Sequence, residues 1–343
     1  MRSFPPSLAS RARACLCMAL AALLSACGGD ESMPTQAHGS EISIVARVYL
    51  DSALNLMQTY SVRRNEIDWP AFRAEAHAHA GPAQDRDDTH HSIRTALRHL
   101  GDGHSSLTSP GAVLTGQSPR ISPTGTVLAD GRIGYVRMPF FSDTAATAHA
   151  MEYHALLRKL DSPSVCGWIV DLRNNRGGNM WPMLVGIGPI LGEGTAGAFV
   201  DADGQRLRWG YVTGGAMHDG RLYFPIDNPY TLRRPDPPVA VLTANPTVSS
   251  GEAIAIAFRG RPRTRTFGTP TRGLTTGNRG FLLPDYAILS ITSTYLADRA
   301  GATYNGQLAP DVTVDAPEGS DPARDAVAAA AQAWLAGQPP CAP

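Results

Sequence analysis

From residue 41 to about residue 100 the apolar positions recur at intervals of three and four, the spacing of a helix that buries one face. Val45, Val48 and Leu50, followed by Leu54 and Met57, mark a first helix opening after Ser40 and Glu41. Trp69 and Pro70 open a second with Asp68 as its cap, and a third follows Asp87 and Asp88 with Ile93, Leu97 and Leu100 on one face. Residues 41–107 are therefore expected to form a helical subdomain whose aliphatic stripes are core. Residues 108–130 are rich in Pro, Ser and Gly and read as a connecting loop. The period then alternates. Residues 133–138 predict a strand, 144–160 a helix and 166–172 a buried strand; further strands at 238–243 and 263–267 flank a helix at 252–258, and 285–294 adds another strand. Strand alternating with helix predicts an α/β core over residues 131–316. In residues 317–343, Asp321, Pro322 and Gly337 bracket an alanine-rich helix expected to pack on that core.

The start of the chain follows a different logic. Arg2, Arg11 and Arg13 precede an apolar run at residues 14–24, which is shorter than the roughly 20 residues of a membrane span. Residues 1–26 read as a secretory signal. The sequence Leu24-Ser25-Ala26-Cys27 resembles the lipobox of bacterial lipoproteins, which makes Cys27 the expected lipidation site and residues 27–40 a polar tether. Gly28 rather than aspartate follows Cys27, which favours the outer membrane, facing the periplasm. With Cys15 and Cys17 removed and Cys27 acylated, Cys166 and Cys341 remain, and an oxidising compartment permits them to pair.

Composition excludes one class of partner. Of the 343 residues 43% are hydrophobic, and 30 basic residues balance 30 acidic ones with no run of like charge, so no footprint for nucleic acid exists. Lys159 is the only lysine in the chain, which bears on the choice of catalytic base.

Three glycine-marked segments carry candidate chemistry. They are Gly-Asp-Gly-His at 101–104, Asp-Leu-Arg-Asn-Asn-Arg-Gly-Gly at 171–178, and Val-Ser-Ser-Gly-Glu at 248–252. Paired glycines after a strand let backbone N–H groups approach a ligand closely. A serine on a strand-to-helix turn places its hydroxyl where the helix N-terminus favours an oxyanion. The alternative reading of Ser249 and Glu252 is a capping box.

In order and context these segments, with Gly268-Thr-Pro-Thr-Arg-Gly273 and Ala309-Pro310-Asp311, resemble the tail-specific or C-terminal processing proteases. The similarity is to the branch that includes the tricorn protease core and interphotoreceptor retinoid-binding protein. It implies a crotonase-like ββα core with an N-terminal helical subdomain, and a serine peptidase acting on a peptide or protein through an acyl-enzyme, without cofactor or metal. Mapped residue by residue, Ser249 is the nucleophile. The N–H of Ser250, with one from Gly177 or Gly178, forms the oxyanion hole. Leu274 occupies the position of the lysine base in the processing-protease branch, so the resemblance assigns the base to His104. Gly251 replaces the second serine of the family's Ser-x-Ser-Glu, and Gly103 the serine before the histidine. Asn305 stands where an acidic orienter of the histidine is expected, and Asp102 is an alternative. The interval at 108–131 is too short for an inserted peptide-binding PDZ module, so specificity for a free C-terminus is not implied.

Two other readings compete. The same cleft, catalytically weak or inactive, would serve an envelope lipoprotein that binds a peptide or apolar ligand. A metal hydrolase would draw on His77, His79, His90 and His91, but these lack an established ligand spacing. The sequence leaves oligomeric state open.

Overall fold

The computed structural model describes residues 41–115, 121–129, 131–319 and 321–342, so the signal segment, Cys27 and the tether lie outside it. A six-stranded sheet forms the centre, in the spatial order Thr124–Leu128, Ile133–Arg137, Gly167–Asp171, Val239–Thr243, Thr264–Gly268, Val312–Thr313. All its pairings are parallel except the first. Both faces are buried, and the side-chain alternation of a strand sorts its residues between two cores. Trp168, Val170, Val239 and Val241 face the helices Ala146–Leu160, Met180–Leu191 and Ser250–Phe258. Ile169, Ala240 and Leu242 face the terminal helix Ala326–Ala336. Gly134 is required by this packing, because a Cβ there would lie 2.4 Å from the Trp168 ring.

A second, antiparallel sheet is organised around the long strand Ile288–Asp298, which pairs with Ser106–Thr108, Thr276–Leu282, Gly194–Val200 and Thr303–Tyr304. Arg206–Val212, Gly215–His218 and Arg221–Pro225 extend it beyond Gly194–Val200. The helices Ile44–Tyr60, Trp69–Ala80 and His90–His99 form their own core against Leu283, Ala287, Leu289 and Ile291. Asp68 caps the second helix as expected, accepting from the Ala71 N–H.

Several expectations are corrected. Val45 and Val48 lie on the solvated side of the first helix, whose buried face is Ala46, Tyr49, Leu50, Ala53, Leu54 and Met57. The expected loop at 108–130 contains a short helix, Pro110–Thr115, and the strand Thr124–Leu128. The terminal helix is capped by Asp325, while Asp321 caps a separate 3-10 turn. The pairing of Cys166 with Cys341 that the sequence permits is, by contrast, present as a disulfide, with Cα atoms 5.2 Å apart.

Candidate active site

The parallel strands Gly167–Asp171 and Val239–Thr243 are neighbours, and the segments that leave their carboxyl ends meet, as ligand-binding loops do in open α/β sheets. The Val248 N–H donates to the Asn175 carbonyl at 3.0 Å, joining the glycine loop to the serine turn. Ser249 caps the helix Ser250–Phe258 with φ +56° and ψ −116°, a conformation that side chains rarely adopt. Such strain costs about 1–3 kcal/mol and persists only where the surroundings hold it. Glu252 is one of those constraints. Its fully buried carboxylate accepts from the Ser249 N–H at 2.9 Å, from the Thr271 hydroxyl at 2.5 Å and from the Gly273 N–H at 2.7 Å. Burial raises the Glu252 pKa above its ordinary value, against the pull of these donors. Half of the capping box is thus built into a clamp between the serine turn and the 268–273 loop.

Gly177 and Gly178 lie at φ +89° and +102°, and a Cβ on Gly177 would lie 2.9 Å from that of Ser249. The two glycines divide the work. The Gly177 N–H is spent on the Asn175 side chain at 2.9 Å, which removes it as an oxyanion donor. The N–H groups of Gly178 and Ser250 have no acceptor among the described residues, and both residues line the cleft. The Ser250 hydroxyl donates to the Gly178 carbonyl at 2.5 Å, tying the two together. At position 251 a Cβ would lie 2.6 Å from the Asn175 carbonyl, so this helix requires glycine where the family pattern has serine.

His104 reaches the site from the turn that follows the third helix. It lines the same cleft of about 620 Å³ as Ser249, with Leu274, Thr276, Trp181 and Phe199. Its Nδ1 lies 2.7 Å from the Thr276 hydroxyl. Burial lowers its pKa, partly offset by the charge of Asp102. No hydrogen bond joins Ser249 to His104 among the described residues. Catalytic contacts are often this loose without substrate.

The two expected orienters are elsewhere. Asn305 is exposed and outside the lining of the cleft. Asp102 is committed to its own turn and to the long strand, accepting from the His104 N–H at 2.8 Å, the Ser105 N–H at 2.7 Å, the Ser105 hydroxyl at 2.6 Å and the Thr292 hydroxyl at 3.1 Å. Thr276 was not singled out in the sequence. It begins a strand whose only mark is the preceding Gly273-Leu274, and no motif pairs it with a histidine 172 positions away. Lys159 is exposed in the last turn of its helix and outside the cleft, while Leu274, at the lysine position, does line it.

The other histidines do not form the metal set considered above. His77 pairs with Asp51 at 3.0 Å and His79 approaches Glu75 at 3.7 Å. His90 instead meets Asp285 at 2.8 Å and the Tyr49 hydroxyl at 3.2 Å.

Residues 132–314 match the family described as Peptidase family S41. The nisin-resistance protein of Lactococcus lactis subsp. lactis is 27% identical over 267 residues, spanning 77% of this chain and 82% of that one. A lipoprotein from Streptococcus agalactiae superposes with a TM-score of 0.70 at 24% identity, over 86% of this chain and 97% of that one. The photosystem II D1 C-terminal processing protease superposes with a TM-score of 0.56 at 18% identity, over 79% of this chain and 93% of that one.

Proposed function

Because the chain belongs to peptidase family S41, we propose that it is an active serine peptidase of the cell envelope, cleaving a peptide or protein through an acyl-enzyme on Ser249. The observation that carries this reading is the convergence on one cleft of a strained serine, a histidine of lowered pKa and two uncommitted backbone N–H groups. His104, with Nδ1–H donating to Thr276, presents Nε2 to take the Ser249 proton as Oγ attacks the scissile carbonyl. The Gly178 and Ser250 N–H groups receive the carbonyl oxygen as it becomes negative. The protonated His104 then donates to the leaving amine, and water repeats the sequence on the acyl-enzyme. Trp181 and Phe199, with ring centroids 6.3 Å apart, give one wall of the cleft an apolar surface suited to a hydrophobic residue beside the scissile bond.

Cys27 is the proposed lipidated N-terminus, which would hold the enzyme on the outer membrane facing the periplasm. The likeness to a lipoprotein and to a nisin-resistance protein supports an envelope location. No helix among the described residues is long and apolar enough to cross a membrane.

A fluorophosphonate probe tests the chemistry. We expect a single adduct on Ser249, its loss in Ser249→Ala, and retention in Ser250→Ala with reduced turnover, since that variant keeps its N–H but not its bond to Gly178. Absence of labelling in folded protein would favour a ligand-binding scaffold. An adduct on Ser250 would move the nucleophile by one residue. Nisin, named in the relative, is a first peptide to assay.

A further inference from the structure

The first helix is apolar on both sides at its N-terminal end. Ile44, Val45 and Val48 are 81%, 55% and 59% exposed, although the helix already buries a complete face on the other side. β-branched residues are poor helix formers, so helix stability gives no reason to place three of them in water. A second pair of exposed apolar residues, Leu282 and Tyr286 at 69% and 71%, lies on the hairpin between Thr276–Leu282 and Ile288–Asp298. Tyr286 is held at φ +68°, where a glycine or asparagine would be less strained.

Tyr286, at the tip of that hairpin, lies toward the N-terminal end of the helix, whereas Leu282 sits opposite Ile288 on the sheet face turned away from the helical core. Phe281 stacks near Tyr60, with centroids 4.7 Å apart, at the far end of the helix. The Tyr49 hydroxyl donates to Asp285 at 2.8 Å, so the hairpin runs along the helix with its tip toward Ile44. Among the described residues nine large apolar side chains are exposed, and Ile44, Val45, Val48 and Tyr286 are four of them. The chain also enters here, where the Ser43 hydroxyl donates to the Gln84 carbonyl at 2.6 Å. Cys27 precedes Glu41 by 14 positions, a length that spans at most about 50 Å when fully extended.

We propose that Ile44, Val45, Val48 and Tyr286 form a docking face that rests in the interfacial region of the phospholipid bilayer carrying the Cys27 anchor. This rests on the anchoring reading given above. Aliphatic side chains with a tyrosine at the margin suit the boundary between acyl chains and headgroups. The charge nearby is mixed. Arg47 and Asp87 are both exposed and of opposite charge, the latter 3.9 Å from His90 beside Tyr49, so apolar insertion rather than attraction to anionic lipid drives the contact. Binding should then be insensitive to salt.

The test uses full-length protein recovered from membranes and placed in phosphatidylcholine vesicles. A polarity-sensitive fluorophore is attached to Val48→Cys, Tyr286→Cys or, as a control on another sheet edge, Leu222→Cys, with the labelled parent as blank. Leu222 is itself 54% exposed. We expect doxyl-labelled lipid to quench positions 48 and 286 about twofold and to leave 222 unchanged, at low and high salt alike. Equal quenching at all three, or at none, would overturn the docking face. So would shielding of 48 and 286 from aqueous iodide without lipid quenching, which would mean that the chain itself or a second copy covers the patch. Mass analysis of the N-terminus reads the anchor separately. If the diacyl group is missing, the anchoring reading fails, and quenching on addition of vesicles still decides the docking face.

Discussion

At the scale of single residues, the decisive feature is a neutral partner on the histidine proposed as the base. The Thr276 hydroxyl can hold the His104 ring in place through Nδ1, but it cannot neutralise the imidazolium as a carboxylate would. Turnover is therefore expected to be slower than in carboxylate-oriented triads. Removing the hydroxyl with Thr276→Val should lower kcat by about tenfold, the equivalent of one hydrogen bond of about 1.4 kcal/mol. Thr276→Ser should restore it, and equal loss in both variants would show that the residue acts by packing alone. The pH profile follows from the same environment. Burial lowers the His104 pKa, so the neutral base survives below its ordinary value and the acid limb of kcat/KM should fall below pH of about 6.5. An acid limb centred above that value would contradict the assignment of His104 as the base. The Lys159→Ala variant should retain both rate and profile, since that residue is exposed and outside the cleft.

At the scale of elements, the proposed nucleophile Ser249 is held by a clamp rather than by its own helix alone. Glu252 joins the first turn of the helix Ser250–Phe258 to Thr271 and Gly273. Glu252→Gln would keep the shape but turn an amide NH2 toward donors. We expect a stability loss of about 1–3 kcal/mol, and a fall in kcat larger than any rise in KM, because the strained Ser249 would relax. Equal probe-labelling rates in variant and parent would separate the clamp from catalysis. The elements differ in how far the sequence disclosed them. Where a cap and a periodic run coincide, as at Asp68 and Trp69, type and position are both legible. That Ser249, His104 and Gly178 meet at one cleft was legible too, since motifs fix backbone geometry as well as residue type. Val45 and Val48 misled because hydrophobicity marks a face without saying whether protein or something else covers it. No element was read between Gly178 and Pro238. Here helix Met180–Leu191 is apolar all round and contains Pro189, and short strands such as Gly215–His218 leave little period to read. Thr276 and Asn305 show the same limit at the site, because a pairing across 172 positions depends on how two sheets meet rather than on any local pattern.

At the scale of the whole molecule, the C-terminal segment closes the fold and reaches the oxyanion loop from behind. Asp325 caps the terminal helix through the Ala328 N–H at 2.8 Å, and its other oxygen takes the Arg173 guanidinium at 2.8 Å. Arg173 also pairs with Asp171 at 2.8 Å, and all three side chains are buried. Glu318 adds bonds to Asn174 and Arg137. Residues 173 and 174 thus lead into the Gly177-Gly178 loop with the terminal segment bound to both. The disulfide fixes the far end of that segment, joining Cys341 to Cys166 directly before the strand Gly167–Asp171 across 175 positions. A link spanning so long a loop restricts the unfolded chain strongly, and its removal costs about 2–4 kcal/mol. For a domain of this size that predicts a drop in melting temperature of about 3–6 °C in the Cys166→Ser, Cys341→Ser double variant, or in the parent under reducing conditions. The terminal helix should loosen before the central sheet, because its core lies on one face only. Its loss would leave the buried Arg173–Asp171 pair without the Asp325 carboxylate that accepts from the Arg173 guanidinium, so one buried donor would go unmet. Well below the melting transition, reduction should therefore lower kcat more than it changes KM, as Gly178 loses its fixed position against Ser249. An unchanged melting temperature would show that packing alone holds the segment. A lowered melting temperature with unaltered kcat would show that the oxyanion loop is held independently of it.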